Sequence, residues 1–113
     1  MPITIRQAAA DFLAEEEEAV GCEAYKRIAA VMARLTEGLE RQGVTDPAFL
    51  ELADVEGSLY AAAAEFGPSD AFYTVKSFVK WLGRRKYAVL LSREFQASEK
   101  LLREGIKSRS AKA

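Results

Sequence analysis

Histidine is absent from this 113-residue chain, and cysteine occurs once, at Cys22. The first absence removes the commonest general base near neutral pH and the commonest side-chain metal ligand. Ser-His-Asp and Cys-His catalysis are excluded, and so is a structural zinc site built from Cys and His. The second absence excludes an intrachain disulfide and suits a reducing cytoplasm, which is the expected location. No run of 18 apolar residues occurs, so no membrane partner is expected. The opening MPITIRQAAADF lacks the basic-then-apolar order of a secretory signal. Strict apolar/polar alternation over five or more residues is scarce too, which removes the main sign of half-buried strands.

What the chain does have is helix. It is rich in Ala, Leu, Glu, Lys and Arg, and apolar residues recur at spacings of three and four. Thr4 and Gln7 have capping-box spacing at the head of a first helix that Gly21 ends. Tyr25, Ile28, Met32, Leu35 and Leu39 form the seam of a second, closed by Gly43. Asp46-Pro47 opens a third, with Leu52, Val55, Leu59, Ala62 and Phe66 inward and Gly67-Pro68 at its end. Ser69 is placed to cap a fourth, which buries Phe72, Val75, Phe78, Val79 and Leu82. Gly83 then leaves open one bent helix or two. The expectation is an all-α fold, a compact four- or five-helix bundle in one domain over residues 1–113. Its core is expected over about 4–90, a helical extension over about 91–107 and a frayed tail over 108–113.

Charge is divided unevenly. Met1 to Thr74 carry 5 basic and 14 acidic residues, a net of −9; Val75 to Ala113 carry 11 and 3, a net of +8; the whole is −1. Such asymmetry points to nucleic acid, to a membrane surface or to contact of one half with the other. With Val75 at the centre of the buried face and about 100° per residue, Lys76, Lys80, Tyr73 and Arg84 turn outward. Trp81 falls at the boundary with Arg85 beside it. Cations interleaved with aromatics suit phosphate neutralisation and base stacking, so Tyr73, Lys76, Lys80, Trp81, Arg84 and Arg85 are the expected nucleic-acid contacts.

Glu15-Glu16-Glu17-Glu18 stands against the dipole at the end of the first helix, so either that helix continues past Gly21 or cations of the basic half lie across the run, within one chain or between two. A minor alternative is a Mg²⁺ site. Glu15 and Glu18 are three apart, and Glu51 and Asp54 repeat that spacing, as oxygen ligands on facing helices do. Helical nucleoside triphosphate hydrolases of the MazG and all-α dUTPase group place Mg²⁺ on similar spacings, although their fuller EExxE pattern does not occur here. Cys22 has no base at hand and reads as a small packing residue.

The segments IRQAAADFLAE, EAYKRIAAVMARLTEGL, LADVEGSLYAAAAEFG and FYTVKSFVKWLGRRKYA resemble the core-binding domain of tyrosine recombinases and phage integrases. The likeness covers about residues 4–88. Ala24-Tyr25 stand where that family's second helix carries a Thr-Tyr or similar pair, and Phe78, Trp81 and Leu82 match F-x-x-W-L in its last helix. The resemblance implies a small helical bundle that grips DNA, without the catalytic Arg, His and Tyr, which lie in another domain.

The function expected from the residues is a non-enzymatic, cofactor-free interaction module. Leu91, Phe95, Leu102 and Ile106 extend the apolar pattern beyond what a 90-residue bundle needs, which suggests a homo-oligomer or a protein partner. The alternative is nucleic-acid binding through the basic face of the fourth helix.

Overall fold

In a computed structural model, which describes residues 3–112 and their side chains as far as 108, local signals of the sequence become five helices. The Thr4 hydroxyl accepts the Gln7 N–H at 3.0 Å and starts α1, Ile5–Ala19. Gly21 precedes α2, Cys22–Arg41. At its end Gly43 takes φ +81, with Val44 N–H donating to Leu39 O and Gly43 N–H to Glu40 O. That is the Schellman arrangement, and the left-handed position favours glycine. Asp46 does cap, its carboxylate accepting the Ala48 N–H, but what it caps is a short 3₁₀ turn, Pro47–Phe49, and not the third helix it was expected to open. Helix α3, Leu52–Phe66, begins afterwards, where Asp54 Oδ2 accepts the Glu51 N–H at 3.1 Å. Gly67, at φ +96, turns the chain into α4, Pro68–Arg84; Pro68, not Ser69, heads that helix.

Two helices, not one bent helix, follow Gly67. Helix α4 stops in a second Schellman arrangement, with Tyr87 N–H on Leu82 O and Lys86 N–H on Gly83 O. Lys86 occupies the left-handed position at φ +63. Helix α5, Val89–Lys112, then runs back antiparallel. Gly83 lies inside α4 because α5 crosses it closely: a Cβ there would stand 2.6 Å from Ser92 Cβ.

This reversal corrects the expected extension. Leu91, Phe95, Leu102 and Ile106 do not project toward a partner; all four are buried in the core. Their spacing puts them on one face of α5, which packs on α4 and α3. Helix α4 is central and contacts each of the other four helices. The radius of gyration, 13.1 Å, is that of a compact domain near this length, about 13 Å. Helical backbone continues to Lys112 where a frayed tail was expected, and Ala113 lies outside the described residues. Among the described residues there is no strand, and no helix is long and apolar enough to cross a membrane.

Candidate nucleic-acid interface

The basic half divides in two. Trp81 faces inward, 2% exposed, among the rings of Phe12, Phe78 and Tyr87. Its Nε1–H donates to Glu15 Oε2 at 2.5 Å, and Arg85 Nη2 donates to the same oxygen at 2.6 Å. The Arg85 guanidinium also sits 5.3 Å from the centre of the Trp81 ring. The indole hydrogen bond, with the Arg85 contact behind it, holds the Glu15 carboxyl below the usual carboxylate range. One glutamate of the acidic run is therefore matched to the basic half within the chain. Trp81 leaves the expected nucleic-acid surface, because a buried indole has no face to offer a base; Arg85 stays half exposed but is drawn toward α1 by Glu15.

The other four nominated residues remain outward on α4, and α5 adds to them. Arg93, Gln96, Lys100, Arg103 and Lys107 follow one another at spacings of 3, 4, 3 and 4, so they share a side of α5. Because the helices are antiparallel, the two rows meet along a seam. At one end Lys76, Tyr73, Arg103 and Lys107 border a hollow of about 430 Å³. At the other, Lys80, Arg84 and Arg93 border one of about 340 Å³. Between them Glu99 bridges the helices, 3.2 Å from Lys76 and 3.7 Å from Arg103. Among the described residues, seven cations thus share this side of α4 and α5, and one carboxylate, Glu99, makes ion pairs with them. The α5 row was visible as a repeat of basic residues in the sequence; it was overlooked because the helix was expected to project.

The rest of the nominated acids do not converge. Asp54 is spent on the head of α3, Glu15 on Trp81 and Arg85. Among the described residues no three His, Cys, Asp or Glu side chains are grouped to hold a metal ion. Cys22 is exposed at the start of α2, not packed.

A second surface was not expected. Phe49 and Leu90 are 76% and 70% exposed, and with Val89 they border a groove of about 660 Å³ between the 3₁₀ turn and the start of α5. Leu90 sits beside Leu91 in sequence, so only one of the two can face the core. No protein-family model, curated protein or solved structure matches the chain.

Proposed function

We propose that the chain is a non-catalytic nucleic-acid-binding module that holds a phosphate backbone along the α4–α5 seam. The observation carrying this reading is the pair of basic rows, Lys76–Lys80–Arg84 and Arg93–Lys100–Arg103–Lys107, with Glu99 the one carboxylate in ion-pair contact with them among the described residues. Arg93 to Lys107 spans about 21 Å of helix, long enough to follow several successive phosphates of one strand. Phosphate contacts supply most of such affinity, and clustered cations on one side of a molecule supply phosphate contacts. The test is charge reversal at two places, each pair of substitutions making the same change in net charge. Lys80→Glu with Arg93→Glu should abolish oligonucleotide binding in fluorescence anisotropy. Lys26→Glu with Arg41→Glu, on α2, should leave it within about twofold. Equal losses in both pairs would reject the seam.

A second reading is self-association, which the exposed Phe49, Leu90 and Leu101 favour. Leu90 and Leu101 are eleven residues apart and so share a face of α5. In an antiparallel two-fold pair, Leu101 of each copy reaches the Phe49–Leu90 groove of the other. That symmetry also sets the same basic flank of both copies side by side, so salt should strengthen the dimer. Light scattering at tens of micromolar checks this: a monomer at both low and about 0.5 M salt contradicts it.

A further inference from the structure

The hollow between the start of α4 and the end of α5 differs from the other hollow of the seam in having an aromatic, apolar interior. Phe72 and Ile106, both buried core residues, form its floor. Tyr73 forms a wall and is 51% exposed, and among the described residues no other ring packs on it. Arg103 lies across the Phe72 ring, 4.8 Å from its centre, with Glu99 3.7 Å behind it. The site therefore offers a phenol ring and a held guanidinium as flat surfaces, with Lys76 and Lys107 at the rim. Flat surfaces of this kind suit a flat ligand, and rim ammonium groups suit its anionic neighbours.

We infer that this hollow takes one nucleobase of a single strand lying along the seam, stacked on Tyr73, with the flanking phosphates at Lys76 and Lys107. The inference rests on the nucleic-acid reading above and adds what that reading leaves open: the kind of strand. In a duplex each base is stacked on both sides and has no face to give, whereas an unstacked base can enter. A volume of about 430 Å³ lies within the range of sites that hold small molecules, roughly 300–1,000 Å³.

The experiment compares three probes on the whole chain: an eight-residue oligodeoxythymidine, inorganic polyphosphate of similar charge, which lacks bases, and thymidine monophosphate. Tyr73→Ala should weaken the oligonucleotide about 5- to 140-fold and leave polyphosphate unchanged. Tyr73→Phe, which keeps the ring, should bind like the parent, and melting curves establish that both variants fold. Lys80→Ala should weaken both polyanions alike. If Tyr73→Ala weakens both polyanions equally, or neither, the base pocket is overturned while the basic seam stands. If the parent chain binds neither polyanion at low salt, the seam itself is overturned. A mononucleotide that binds as tightly as the octamer would assign the hollow to free nucleotides and overturn the strand.

Discussion

Glu15 settles what the most basic stretch of the chain does with part of its charge. One carboxylate oxygen accepts from Trp81 and Arg85, joining α1 to α4 at a ring cluster. Because that contact lowers the folded-state pKa of Glu15, its contribution to stability is complete above the ordinary glutamate value, about 4.3. Below that value the unfolded chain takes up a proton first, so stability falls with pH until the folded carboxyl is protonated too. Glu40, bonded to Arg6, shifts in the same direction and adds to the same acid loss. Glu15→Gln keeps an acceptor for the indole but has no charge to lose. Urea unfolding followed by Trp81 fluorescence should therefore show a shallower decline from pH 5 to pH 3 in the variant. Identical pH profiles would mean that the carboxylate is not coupled to folding. Trp81 also separates structure from binding: Trp81→Phe should lower stability by leaving Glu15 without its indole donor, while oligonucleotide affinity stays unchanged.

At the level of elements, α4 and α5 owe their close crossing to Gly83. Helix propensity alone favours Gly83→Ala by about 1 kcal/mol. The added Cβ would meet Ser92 Cβ at 2.6 Å, an atom fixed to the α5 backbone, and such overpacking costs about 1–3 kcal/mol. Net destabilisation is expected. Gly105→Ala should cost less, because its Cβ first meets the Tyr60 hydroxyl, the end of a long side chain and not an atom fixed to a helix backbone. Thermal melts of the two variants compare them; a more stable Gly83→Ala protein would contradict the close crossing. The same junction shows why the sequence was legible in part. The Schellman turn after α2 could be read because Gly43 fills its left-handed position. The turn after α4 has the same hydrogen bonds but puts Lys86 there, so nothing marked it. Without that turn, Gly83 left one bent helix or two undecided, α5 read as an extension, and Leu91, Phe95, Leu102 and Ile106 read as a surface seeking a partner. Apolar periodicity alone identifies a buried face; it does not say whether the same chain or another covers it. Tyr73, Lys76, Lys80 and Arg84 were legible because α4 is long and regular. Trp81 was not, since a residue at the boundary of a face is placed by its neighbours, here Glu15 and Phe12.

At the scale of the whole molecule, a net charge of −1 conceals a chain with two faces. In the acidic half, Arg6 pairs with Glu40, Arg34 with Glu65 and Arg27 with Asp70 across helices, while Lys26 and Arg41 pair within α2 with Glu23 and Glu37. On the basic side, Lys76 and Arg103 share Glu99, while Lys80, Arg84, Arg93, Lys100 and Lys107 have no ion-pair partner among the described residues. On the proposed reading, a polyanion is attracted by the cations of the seam and repelled by the carboxylates of the acidic half, which would favour approach at the seam. The most direct test is the affinity of a single-stranded octanucleotide measured against salt from about 50 to 200 mM. Four to six phosphate contacts predict that log K falls linearly with log salt at a slope of about −3 to −4, and that Arg84→Ala makes the slope shallower by about 0.7. An affinity that does not change with salt, or no binding at 50 mM, would contradict the account.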